Sequence, residues 1–145
     1  MTMLRRVQGL LAALWGGLLL CVAGLVMPSA FAVLERSQAI LLAGRMFSVE
    51  AQISLAAALI LMMMERRHAR DGQGRAASAE FLLPAGAMFC TVAGYYVLQP
   101  MMEAARAGAP GLSAMALHGL SMGFFALKTG VVLVLAWRLM KKPAA

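Results

Sequence analysis

Along this chain polar and apolar positions separate into blocks instead of alternating within them. Four apolar stretches, residues 7–34, 46–64, 81–102 and 107–127, hold one carboxylate, Glu50, and one histidine, His118. Short charged segments divide them. About 20 apolar residues in a helix cross the hydrocarbon of a bilayer, and 145 residues cannot bury four such stretches in a water-soluble core. The pattern predicts an all-α integral membrane four-helix bundle with short loops. It forms a single transmembrane domain over residues 1–145, with helices at about 7–34, 45–65, 79–102 and 113–140.

Composition agrees. Hydrophobic residues make up 62% and charged residues 13%, against roughly 45–50% and about 25% in soluble domains. A net charge of +7 would point to nucleic acid in a soluble protein. Here the basic residues flank the apolar stretches, so nucleic acid is set aside. The expected partners are the lipid bilayer and its anionic headgroups. With the N-terminus inside, the inner face carries Arg5, Arg6, Arg66, Arg67, Arg70, Arg75, Arg138, Lys141 and Lys142, and the outer face only Arg36, Arg45 and Arg106. That asymmetry predicts an N-in, C-in topology and a multi-pass place in a bacterial inner (cytoplasmic) membrane.

Local signals refine the helices. Pro28 is expected to kink the first, leaving the Gly24 carbonyl without its usual donor. Residues 71–79, with Gly72 and Gly74, read as a polar turn. Ser78 and Ser113 are candidate caps for the third and fourth helices, with Glu80 in the first turn of the third. Trp137 marks the inner interface of the fourth helix. Arg5 and Arg6, an apolar run and Ala30-Phe31-Ala32 imitate a signal peptide. The run 7–27 has 21 residues, however, and such cores have about 7–15. Gly9, Ala13, Gly16 and Gly24 also share one face, as close helix packing requires. The segment is therefore read as a packed helix.

Ionisable groups within the apolar stretches are the candidate chemistry, because such groups face the interior of a bundle and pair there. If the second helix starts near Arg45, Glu50 and His118 lie at similar depth in the outer half. Tyr95, Tyr96 and Gln99 reach that level from the third helix, and Pro28 and Ser29 from the first. A Glu50–His118 pair could bind a cation, relay a proton or hold a polar ligand; it could equally fix helix register. Lys128 lies near the middle of the fourth helix on one face with His118, Ser121 and Phe125. It reads as an interior group or as an anchor at the inner leaflet. The intramembrane polar site is thus Glu50, His118, Arg45, Lys128, Tyr95, Gln99 and Ser121. No catalytic set and no cofactor are expected. Most of the 13 methionines are apolar filling, although Met101 and Met102 near His118 leave a copper(I) site conceivable. Cys21 and Cys90 lack redox or zinc spacing.

Several short motifs occur in order: Trp15-Gly16-Gly17, Pro28-x-x-Phe31, Gly44-Arg45-x-Phe47-x-x-Glu50, Tyr96 before Pro100, and Leu117-His118. Their arrangement resembles the transmembrane-protein-205-like family, small four-helix membrane proteins whose bacterial members carry a domain of unknown function. The resemblance runs from about residue 10 to residue 137 and implies a four-span bundle without an assigned reaction. By looser analogy the chain is similar to copper-resistance D and protoporphyrinogen-oxidase-like bundles. The latter hold haem through a first-helix histidine that is missing here.

Two function classes follow. One is a non-enzymatic binding or accessory membrane component, alone, as a homo-oligomer or with a membrane partner protein. The other is a transporter or channel for a small solute, proton or metal ion. A haem- or metal-dependent oxidoreductase ranks below both. A tight bundle leaves little room for an aqueous path, which favours the first.

Overall fold

A computed structural model describes residues 3–72 and 74–141; Lys142 lies outside them. Among the described residues there are four helices long and apolar enough to cross a membrane: α1 (Met3–Val33), α2 (Arg36–Arg70), α3 (Ala79–Arg106) and α4 (Ala114–Lys141). They run up and down in sequence order, and α1 also packs on α4, which closes the ring. The start of α1, the loop between α2 and α3, and the end of α4 share one end, rich in arginine and lysine. The two turns at 34–35 and 107–113 form the opposite, far end.

The bundle is inside-out relative to a soluble protein. Leu14, Leu25 and Phe89 are each more than 60% exposed, while Glu50, Ser54, Thr91 and Lys128 are at most 3% exposed. Only an apolar solvent makes that distribution favourable, so length and composition together identify a multi-pass membrane bundle. The apolar core lies towards the basic end. Trp15 and Leu19 of α1 meet Leu61 of α2 and Leu135 and Leu139 of α4, with alanines from α2 and α3 allowing close approach.

The second helix is longer at both ends than the sequence reading placed it, and the first passes its proline as expected. The second helix begins at Arg36, not near Arg45, and runs to Arg70. Arg45 is therefore internal to the helix. The first helix continues through Pro28 to Val33 after a π-helical turn at Val22–Val26, where the Met27 N–H reaches back five residues to the Val22 carbonyl. Widening the backbone is one way a helix absorbs a proline's missing donor. A second π-helical turn, Val92–Val97, precedes Pro100 in α3. Beyond its π turn α1 packs on α2, whereas its first half packs on both α4 and α2. The far half of the bundle is consequently open on the side between α1 and α4.

Ser113 caps α4, accepting the Ala116 N–H at 3.1 Å. Ser78 stands at the start of α3 but makes no side-chain cap; its hydroxyl instead donates to Glu65 at 2.7 Å. Trp137 is exposed, with the Lys141 ammonium 4.7 Å above its ring.

Candidate functional site

Glu50 and Lys128 meet at the centre of the molecule. Glu50 stands fourteen residues from Arg36 along α2, and Lys128 fourteen residues from Ala114 along α4. Both helices enter from the far end, so at a rise of 1.5 Å per residue each group lies about 21 Å deep. Lys128 Nζ donates to Glu50 Oε1 at 2.7 Å, and both side chains are almost fully enclosed. The Ser54 hydroxyl, one turn further along α2, donates to the same oxygen, and Trp15 Nε1 donates to Ser54 Oγ at 2.9 Å. One chain of hydrogen bonds thus joins α1, α2 and α4. A buried charge requires such a partner, since an isolated ion in hydrocarbon costs several kcal/mol.

This pair is the floor of a cavity of about 190 Å³ that opens towards the far end. Phe47 and Phe125 form one wall, with ring centroids 5.6 Å apart at an interplanar angle of 84°. The Lys128 ammonium sits 5.0 Å from the Phe125 centroid, within cation–π range. Cys90, Thr91 and Tyr95 contribute the α3 side, while Gln99, Arg106, His118 and Ser121 supply polar groups nearer the mouth. Phe31, Gly44 and Met122 stand at the rim.

The π turn of α3 shapes this space. Gly94 lies so close to α4 that a Cβ added there would fall 2.7 Å from Phe124 Cβ. The Ser121 hydroxyl crosses the same contact and donates to the Gly94 carbonyl at 2.6 Å. Here the wider backbone is tied to a neighbouring helix by a hydroxyl, as polar groups do within bilayers.

Six of the seven sequence candidates, Glu50, His118, Lys128, Tyr95, Gln99 and Ser121, line the cavity. Arg45 does not; it is exposed on α2. The expected Glu50–His118 pair is replaced by Glu50–Lys128. His118 lies only four residues into α4 and is exposed near the mouth, nearly three helical turns from Lys128. Lys128 is interior, not an inner-leaflet anchor. Ser54 escaped the sequence reading, and Arg106, read only as an outer-face charge, was not expected in the cavity. Ser54 is the i+4 neighbour of Glu50, a spacing that could have signalled the contact.

A second polar cluster closes the basic end. Arg5 grips Glu65 with two hydrogen bonds of 2.8 and 3.2 Å, and Gln8 and Ser78 donate to the same carboxylate. Arg5, expected in the headgroup fringe, is thus 8% exposed and paired. Arg138 bridges to Glu80 at 3.3 Å. Among the described residues no three His, Cys, Asp or Glu side chains converge as a metal site would require.

The family model for a domain of unknown function, DUF4149, matches residues 10–110. That span includes Trp15, Glu50, Ser54 and the α3 wall of the cavity, and ends before α4. No curated protein and no solved structure matches the chain.

Proposed function

The chain belongs to the DUF4149 family, and on that premise we propose that it is a non-enzymatic binding component of a bacterial inner membrane that holds a lipid-borne molecule in its cavity. The observation carrying this reading is a cavity that ends on a buried ion pair with a packed apolar layer beneath it. Five of the thirteen motif residues, Phe31, Gly44, Phe47, Glu50 and His118, line that cavity, and a sixth, Trp15, supports its floor. The order and spacing of the motifs support placing the chain with the transmembrane-protein-205-like proteins. The excess of lysine and arginine at one end supports an N-in, C-in orientation, with the cavity in the outer leaflet and anionic headgroups at the basic end. A reporter fused after the C-terminus and active only in the periplasm would overturn that orientation.

Transport is the second reading, favoured by a charge pair at mid-bilayer depth, where such groups often mark ion pathways. Below the pair, however, Trp15, Leu19, Leu61, Leu135 and Leu139 are each at most 2% exposed, and the Arg5–Glu65 network follows. A path would have to break both. Proteoliposomes of the purified chain should therefore pass protons, alkali cations and copper no faster than empty vesicles. Flux that disappears with Glu50→Gln would replace the binding role with transport.

A further inference from the structure

The floor of the cavity specifies the kind of molecule that fits. Lys128 has three N–H donors, and one is used by Glu50 Oε1. Among the described residues the other two have no acceptor, beyond the Phe125 ring face. Glu50 Oε1 accepts from both Ser54 and Lys128, and Oε2 accepts from none of the described residues. Gln8 Oε1 is the one fully enclosed side-chain polar atom left without a partner among them. Glu50 Oε2 is therefore not among the fully enclosed atoms, and Glu50 and Lys128 both line the cavity. The floor offers a donor and an acceptor side by side, and its charges already cancel. A ligand ion placed there would be uncompensated in a medium of low dielectric.

Size and walls narrow the choice further. An enclosed space of roughly 150 Å³ holds a benzene ring, so about 190 Å³ holds one substituted ring. Phe47, Phe125 and Tyr95 present aromatic surfaces on which a planar ring packs. Besides its mouth at the far end, the cavity is flanked by the open side between Phe31 of α1 and Met122 of α4, which are 52% and 43% exposed, and an apolar tail leaves there. That side faces hydrocarbon, not water.

We infer that the cavity binds the uncharged, hydroxylated ring of a lipid-soluble molecule, a phenol or hydroquinone with an apolar tail. The ring hydroxyl donates to Glu50 Oε2 and accepts from Lys128 Nζ, while the tail lies in the lipid beside α1 and α4. This inference rests on the binding role proposed above and adds the chemistry of the head.

The test uses the full chain in nanodiscs of saturated phosphatidylcholine, with binding followed by calorimetry and by the shift in thermal midpoint. The probes are 4-octylphenol, octylbenzene and octanoate, similar in chain length and different in head. The phenol is expected to bind about tenfold or more tightly than octylbenzene, the margin of a hydrogen bond to a charged group. The charge-neutral pair Glu50→Gln with Lys128→Met should erase that margin. Gly44→Leu, which fills the rim at a position where a Cβ meets nothing within 4 Å, should weaken all three probes while leaving the helical circular dichroism unchanged. Equal binding of phenol and octylbenzene overturns the head-group assignment and keeps the binding role. Tightest binding by octanoate makes this an anion site and likewise overturns the assignment. No binding by any probe removes the cavity as a ligand site, and both readings fall.

Discussion

At the scale of single residues, the geometry turns on one carboxylate. Glu50 is held by Lys128, Ser54 and, through Ser54, Trp15. Removing one partner of a buried pair leaves an uncompensated charge and costs about 3–5 kcal/mol, whereas replacing both by neutral groups is often tolerated. Glu50→Gln and Lys128→Met should each lower the thermal midpoint sharply. The double variant should be more stable than either single one. Additive losses in this double-mutant cycle would show that the two side chains do not depend on each other. Trp15→Phe removes one neutral donor and should cost about 1 kcal/mol, read from the same melting curves.

At the scale of helices, close approach is set by small residues and π turns. Gly94 faces Phe124 with no space for a methyl group, while a Cβ at Gly86 of the same helix would meet nothing within 4 Å. Gly94→Ala should therefore destabilise the bundle by about 1–3 kcal/mol through overpacking. Gly86→Ala should be neutral or slightly stabilising, since alanine is the better helix former. Comparable losses at both positions, measured by thermal unfolding in detergent, would contradict the α3–α4 contact. Helix length also explains where sequence reading stopped. Hydropathy located all four spans, because each apolar block exceeds what a bilayer needs. It missed the start of α2, because Arg36 and Arg45 both look like boundary residues. Starting at Arg45 puts Glu50 level with His118; starting at Arg36 puts it level with Lys128. Nine residues changed the partner. The Gly94–Ser121 bond was out of reach as well, since a π turn leaves no periodic trace in the apolar pattern.

At the scale of the molecule, polar chemistry lies at two depths with an apolar plug between them. The Arg5–Glu65–Gln8–Ser78 cluster ties the loop after α2 to the start of α1 at the basic end. The Glu50–Lys128 pair sits above the plug and faces the cavity. Charge asymmetry, the ordered motifs and the identities of six cavity residues were legible from the chain. The existence of the cavity was not, because it follows from α1 leaning towards α2 beyond its π turn. A closed base and a lateral opening suit retention of a molecule from the lipid better than its passage through the bundle. Native mass spectrometry of the chain released from its own membrane in nanodiscs tests this most directly. The account predicts one uncharged lipophile per wild-type chain, lost from Gly44→Leu. A bare wild-type chain, or an adduct held equally by both proteins, would contradict it.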